Sequence, residues 1–129
     1  MLATKGWVYA VAWSPDSKSL ASAGKDGTVR LWHVESGQMV RTLPGHPKTI
    51  RALAWSPDGK IVASGKKDGT VQLRDTESGR VLRTLQPDRE PLDQSKEHLS
   101  NTLAWSPDGQ TLAYCGDSSV SLWDVESGR

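Results

Sequence analysis

The chain has 129 residues, with 16 Lys and Arg against 15 Asp and Glu and a formal net charge of +1. This balance gives no electrostatic reason to expect nucleic acid or an acidic membrane surface as a partner. We expect neither a membrane span nor a signal peptide, because no apolar run approaches the roughly 20 residues that a spanning helix needs. Cys115 is the single cysteine, so an internal disulfide is excluded and we expect a cytoplasmic location.

The first predicted elements are four short strands. "VYAVAWS" alternates apolar with small or polar residues, and the "SPDS" that follows it has the composition of a tight turn. "SLASAG" predicts a second strand, which ends at Asp26-Gly27, a strong hairpin signal. "TVRLWHV" and "QMVRTL" predict a third and a fourth strand. The sequence shows no helical periodicity, which favours an all-β fold.

The same elements return twice more along the chain. Trp13, Trp55 and Trp105 each stand between Ala and "SPD", at intervals of 42 (55 − 13) and 50 (105 − 55) residues. The additional eight residues (50 − 42) lie within the polar stretch 86–101, which has no periodic apolar pattern and predicts a long surface loop. A four-stranded antiparallel unit of about 40 to 45 residues has the size of one β-propeller blade.

The repeat resembles the WD40-repeat β-propellers over about residues 3–129. "GHPKTIRALAWSPDGKIVASGKKDGTVQLRDTESG" is the most complete copy, and "DGTVRLW" and "SVSLWDV" carry the third-strand Trp that marks this family. The resemblance implies a partial β-propeller of about three four-stranded blades, the last of which lacks its outer strand. We assign residues 1–129 to one repeat region, with units at about 3–45, 46–85 and 98–129 and an inserted loop at about 86–97.

In this family a His, a Ser or Thr, an Asp and the third-strand Trp form a buried polar network with a structural role. The resemblance transfers these roles to His46, Ser64 and Asp68 in the middle unit. Arg74 replaces the Trp there; it is either a charged anchor near the face or, as we favour, a guanidinium that stacks where the indole would lie. The matching residues of the other units are Ser22, Asp26, Trp32, Asp117 and Trp123.

The resemblance also implies a partner-binding face, at the edge that carries the loops before the first strand and between the second and third strands. Trp, Tyr and Arg are the usual hot-spot residues of interfaces. Trp7 lies outside the repeated Trp positions, so it either binds a partner or covers the edge of its own blade. For the basic candidates the alternative is a solvated surface role. The candidates are Trp7, Tyr9, Lys25, Thr49, Arg51, Lys67, Leu99 and Asn101.

We therefore predict a non-enzymatic scaffold or sensor module, part of a larger chain, that presents a propeller face to a protein or peptide. The alternatives are a propeller-type hydrolase or lyase and a self-assembling structural ring. The sequence contains no nucleophile elbow, phosphate-binding loop or "HExxH" motif, so we expect no catalytic residues, no metal and no cofactor. Known rings have about four to eight blades, so we expect the missing blades to come from a longer chain or from self-association.

Overall fold

The computed structural model describes residues 6–43, 49–66, 69–85, 102–116 and 119–128. Within these ranges the chain forms eleven β-strands and no helix. The strands build three separate antiparallel sheets. This architecture confirms the predicted all-β fold of about three blades.

Each sheet is a meander in which every strand pairs with its neighbour in sequence. Sheet 1 contains β1 (Val8–Trp13), β2 (Ser19–Gly24), β3 (Val29–His33) and β4 (Gln38–Leu43). Sheet 2 contains β5 (Ile50–Trp55), β6 (Ile61–Lys66), β7 (Val71–Asp75) and β8 (Val81–Leu85). Sheet 3 contains β9 (Thr102–Trp105), β10 (Thr111–Gly116) and β11 (Ser119–Asp124). The described part of sheet 3 thus has three strands, as predicted for a blade without its outer strand.

The turn between the first two strands of each sheet is built by the "SPD" residues. In sheet 1 the Ser14 hydroxyl donates to Oδ1 of Asp16 at 2.6 Å, and the backbone N–H of Lys18 donates to the same oxygen at 2.9 Å. The corresponding bonds recur in the other two sheets. These bonds, the serine hydroxyl first, lower the pKa of Asp16, Asp58 and Asp108 below the usual 3.8. The repeated carboxylates therefore hold turns.

The hydrophobic core lies between consecutive sheets, whose first strands lie side by side, β1 beside β5 and β5 beside β9. Buried residues between sheets 1 and 2 are Ala21, Ala23, Val29, Leu31, Leu43, Ile50, Leu53 and Val62. Buried residues between sheets 2 and 3 are Ala52, Ala63, Val71, Leu73, Leu85, Leu103, Leu112, Tyr114 and Trp123. Each large apolar side chain contributes about 1.5–3 kcal/mol by burial. Stacking of the sheets is thus the main source of stability.

One hydrogen bond recurs at both contacts between sheets, and we call it the indole joint. The indole N–H of Trp55 donates to the carbonyl oxygen of Ala12 at 2.9 Å, and that of Trp105 donates to the carbonyl oxygen of Ala54 at 3.2 Å. In each case the Trp that ends the first strand of one sheet reaches the first strand of the preceding sheet. This contact aligns the strand ends of neighbouring sheets, so the stack has two edges. We call the edge where β1, β5 and β9 begin the linker edge and the edge of the "SPD" turns the turn edge.

Candidate partner-binding face

Trp7 and Lys25 lie together at the linker edge because the first hairpin of sheet 1 closes there. The backbone N–H of Lys25 donates to the carbonyl oxygen of Trp7 at 3.1 Å. At Gly24 the backbones are so close that a Cβ would overlap that carbonyl oxygen, so any larger residue would displace Trp7. The sheet therefore fixes the backbone of Trp7 while 71% of the residue stays exposed.

Tyr9 and Arg51 extend this surface across two sheets. The rings of Trp7 and Tyr9 lie 6.4 Å apart at an interplanar angle of 41°. The guanidinium carbon of Arg51 lies 4.8 Å from the centre of the Tyr9 ring, in cation–π geometry. Tyr9 belongs to β1 and Arg51 to β5, so the contact depends on the packing of sheet 2 against sheet 1. The result is a continuous row of an indole, a phenol and a guanidinium.

Arg51 has unused hydrogen-bonding capacity in this row. Its Nε atom is buried and has no hydrogen-bond partner among the described residues, although the residue as a whole is only half-buried. An unsatisfied buried donor costs about 1–3 kcal/mol. Stacking on Tyr9 holds the side chain in place before any ligand arrives.

Among the residues described at the linker edge, basic side chains outnumber carboxylates. Asp26 is the one carboxylate among the residues described at this edge, and it pairs with Arg30 at 2.8 Å. The hydrogen bond from Arg30 lowers the pKa of Asp26 below 3.8, with a smaller contribution from the backbone N–H of Thr28. The charges of Lys25 and Arg51 are left without a carboxylate partner in the described structure. The surface therefore favours an anionic group beside its aromatic rings.

The structure brings four of the predicted face residues together, namely Trp7, Tyr9, Lys25 and Arg51, and describes a fifth, Thr49. Thr49 is half-buried and directly precedes β5. Lys67, Leu99 and Asn101 lie outside the described residues. The contact between Tyr9 and Arg51 was missed by the sequence analysis, although a signal was present. The two residues are 42 positions apart, which is the repeat interval, and equivalent positions of adjacent first strands lie side by side.

Most of the described residues assigned to the polar network are buried inside the stack, but Asp26 is exposed. The Trp32 indole N–H donates to the Ser22 hydroxyl at 2.9 Å in a buried bond. Asp26 is exposed and contacts Arg30 and the Thr28 backbone instead of this pair. Ser64 and Trp123 are both buried. His46, Asp68 and Asp117 lie outside the described residues.

Arg74, at the position of the third-strand Trp in sheet 2, is buried with 5% of its surface exposed. Its Nη2 donates to Oε1 of Gln72 at 3.2 Å, and its Nη1 donates to the carbonyl oxygen of Gly79 at 3.4 Å. Burial lowers the pKa of the guanidinium. In the described part of the chain no carboxylate forms an ion pair with it. Arg74 thus lies inside the stack and not on the candidate face.

At the turn edge a groove lies between each pair of consecutive sheets. One, of about 390 Å³, lies between sheets 1 and 2 beside Trp55, and the other, of about 370 Å³, lies between sheets 2 and 3 beside Trp105. Their linings repeat the same "SPD" residues, so both grooves follow from the repeat. Within the described ranges no cluster of three or more His, Cys, Asp or Glu could hold a metal ion. No helix found there is long and apolar enough to cross a membrane.

Comparison with known proteins agrees with this architecture. The sequence matches the WD40 family, described as "WD domain, G-beta repeat", at residues 2–33, 37–75 and 90–124. The matched segments cover well over half of the chain. The three segments correspond to three repeats, which confirms the resemblance drawn from the sequence.

Similar segments occur in much longer proteins. The chain is 55% identical over 38 residues to Actin-interacting protein 1 of Drosophila melanogaster, a match that covers 30% of this chain and 6% of that protein. It is 37% identical over 49 residues to WD repeat-containing protein VIP3 of Arabidopsis thaliana, which covers 38% and 15%. It is 46% identical over 41 residues to small ribosomal subunit protein RACK1 of Caenorhabditis elegans, which covers 32% and 13%. The matches thus span only a small part of these relatives.

Proposed function

Because the chain belongs to the WD40-repeat family, we propose that it is a non-enzymatic interaction module that presents its linker edge to a protein or peptide partner. The observation that carries this proposal is the row of Trp7, Tyr9 and Arg51, which is exposed yet held in place by two packed sheets. A preorganised surface loses little entropy on binding. Exposed Trp, Tyr and Arg are also the residues that contribute most to interfaces.

The chemistry of the row favours an acidic segment as the partner. Arg51 and Lys25 supply positive charge. The indole of Trp7 supplies an apolar surface next to them. A peptide with a carboxylate or phosphate beside an apolar residue would meet all three groups. We place this module in the cytoplasm. We also infer that it is part of a longer scaffold or sensor protein, because the chain matches only a small fraction of each relative.

The names of the relatives are compatible with this role. One relative is named for its interaction with actin. Actin is not proposed as the partner here, since the match covers only 38 residues. The proposed function depends on the row itself and not on the identity of any relative's partner.

A selection experiment tests this proposal. A random heptapeptide library is panned against the immobilised chain, and a fluorescein-labelled copy of an enriched peptide is titrated by anisotropy. We expect enriched peptides to carry Asp or Glu next to an apolar residue. Trp7→Ala and Arg51→Gln should each weaken binding about 10- to 30-fold, the effect of losing one interface hot spot of roughly 1.4–2 kcal/mol.

The matched control is Arg80→Gln, because Arg80 is an exposed arginine at the opposite, turn edge. It should leave the affinity unchanged. Peptides that bind Trp7→Ala and Arg51→Gln as tightly as the unaltered chain would show that the binding surface lies elsewhere. Failure to enrich any peptide would also count against a peptide-binding face at this edge.

A further inference from the structure

The groove between sheets 1 and 2 at the turn edge, which we call the first groove, has walls that are fixed by hydrogen bonds. The Trp55 indole lines it and is bonded to the Ala12 carbonyl of sheet 1. The Thr76 hydroxyl donates to the carbonyl oxygen of Gly59 at 3.0 Å, which ties two turns of sheet 2 together. A Cβ at Gly59 would lie 3.7 Å from Cδ of Pro15, so the turns of sheets 1 and 2 are close neighbours. A ligand therefore meets a groove that is already formed.

An apolar surface leads from this groove to the outer strand of sheet 1. Leu31 is buried at the groove, Trp55 is half-buried, and Val40 on β4 is 64% exposed. Sheets 1 and 2 both have four strands and are already in contact. The exposure of Val40 thus arises between two sheets that pack on each other, and not on a face that a further blade would cover.

The corresponding place between sheets 2 and 3 is closed by an arginine. Arg83 on β8 donates to the carbonyl oxygens of Glu126 and Ser127 at 2.8 and 3.3 Å. Arg41 is the equivalent residue on β4, and in the described structure it donates no hydrogen bond to the 76–80 turn. The first groove accordingly includes two residues of β4, whereas the described lining of the groove between sheets 2 and 3 includes none of β8. The first groove is therefore the more open of the two.

The rim of the first groove is acidic, because Asp16, Asp58 and Glu77 line it. The Oδ1 atoms of the two aspartates accept the turn bonds, which lower the pKa of both carboxyls and keep them ionised. Their Oδ2 atoms accept no hydrogen bond in the described structure. Arg41 is the one basic side chain among the described residues of the lining. The backbone N–H groups of the following turn lower the pKa of Asp75, and the charge of Arg41 adds a smaller contribution, so part of the charge of Arg41 is balanced by a carboxylate that does not line the groove.

The same sign of charge extends over the turn edge. Six carboxylates and three basic side chains lie in the described turns at this edge. The carboxylates are those of Asp16, Glu35, Asp58, Glu77, Asp108 and Glu126, and the basic side chains are Lys18, Lys60 and Arg80. The two edges of the stack therefore differ in charge, and the turn edge favours a cationic partner.

We propose that the first groove binds the lysine or arginine side chain of an extended basic segment in a partner protein. The cationic group lies beside Asp16, Asp58 and Glu77, which supply acceptors and negative charge. The aliphatic stem packs on Val40 and on the Trp55 ring, and an indole beside a cation adds cation–π attraction. The groove lies at the edge opposite the aromatic row, so it is a second surface, of opposite charge, that does not depend on the proposed function.

Fluorescence anisotropy tests the proposal, with a fluorescein-labelled heptapeptide of alternating lysine and valine titrated with the 129-residue chain at about 50 mM salt. We expect saturable binding. Asp16→Asn combined with Glu77→Gln should weaken this binding about 3- to 20-fold, the effect of losing two exposed ion pairs. Trp7→Ala, which alters the linker edge, should leave it unchanged.

Asp108→Asn combined with Glu35→Gln is the matched control. It removes the same two kinds of side chain from the same turn positions of other sheets, and neither residue lines the first groove. It should change the affinity by less than about 2-fold. Equal losses in the two double variants would show that the peptide is attracted to the acidic edge as a whole, and would overturn the groove as its site. Absence of saturable binding up to about 1 mM chain, or an equal loss in Trp7→Ala, would also overturn the proposal.

Discussion

The contact between sheets 1 and 2 and the contact between sheets 2 and 3 share a framework but differ in their interior. Both have an indole joint at equivalent positions. In the contact between sheets 2 and 3, Trp123 on the third strand of sheet 3 is stacked on Tyr114, with ring centres 6.2 Å apart. In the contact between sheets 1 and 2, the equivalent residue on the third strand of sheet 2 is Arg74, whose buried guanidinium donates hydrogen bonds to Gln72 and to the Gly79 carbonyl.

The third-strand position of the repeat can therefore hold either an indole or a guanidinium while the indole joint is retained. An aromatic pair contributes apolar burial and stacking. A buried guanidinium instead loses hydration, which is why its pKa is lowered, and its hydrogen bonds recover only part of that loss. We therefore expect the second contact to be the stronger of the two.

The largest expected effect tests the stronger contact. Trp123→Ala should lower the free energy of unfolding by about 3–5 kcal/mol, because it removes a buried indole and leaves a cavity beside Tyr114. Urea unfolding followed by circular dichroism measures the change. A loss below about 1 kcal/mol would mean that the aromatic pair does not hold sheets 2 and 3 together.

A smaller effect should follow from removing one indole joint. Trp55→Phe keeps most of the apolar contact but deletes the donor to the Ala12 carbonyl, so the loss should be about 1–2 kcal/mol. Trp7→Phe is the control, since the exposed Trp7 indole has no hydrogen bond in the described structure, and it should change stability by less than about 0.5 kcal/mol. Equal losses in the two variants would show that the joint bond does not stabilise the stack.

A variant that replaces the buried guanidinium of Arg74 tests the weaker contact, between sheets 1 and 2. Arg74→Met keeps the length of the side chain and removes its charge, so it should raise the free energy of unfolding by about 1 kcal/mol. Arg80→Met, at an exposed position, should have little effect. A destabilised Arg74→Met variant would mean that the bonds to Gln72 and Gly79 outweigh the desolvation of the guanidinium.

The smallest expected effect on stability comes from the "SPD" turns, which recur in all three sheets. The pKa of Asp58 is lowered in the folded chain, chiefly by the Ser56 hydroxyl, so its contribution to stability is present above pH 3.8 and is lost as pH falls through the folded pKa. Asp58→Asn should therefore be less stable at pH 7, by less than about 1 kcal/mol because the turn is exposed. The difference should narrow below about pH 4. Glu35→Gln, which alters an exposed carboxylate that has no hydrogen bond in the described structure, is the control. A difference for Asp58→Asn that does not change with pH would contradict this role of the carboxylate.

The sequence predicted the local structure better than the contacts between sheets. Strands and "SPD" turns depend on residues close in the chain, so alternation and turn composition were sufficient to find them. The closeness of Trp7 and Lys25 was also predictable, because both residues belong to the β1–β2 hairpin. The stacking of Arg51 on Tyr9 and the bonds from Arg83 to the carbonyl oxygens of the 126–127 turn join different sheets. Such contacts depend on how the sheets pack, which strand periodicity does not describe.

Nuclear magnetic resonance tests the rigid stack and its binding face most directly, through the exchange rates of the indole N–H protons with and without a selected acidic peptide. We expect slow exchange for Trp55 and Trp105, which form the joints, and fast exchange for Trp7, which is exposed. Addition of the peptide should shift or protect the Trp7 resonance and leave those of the two joints unchanged. Joint indoles that exchange as fast as Trp7, or a bound peptide that leaves Trp7 unaffected, would contradict a rigid stack that presents this face to a partner.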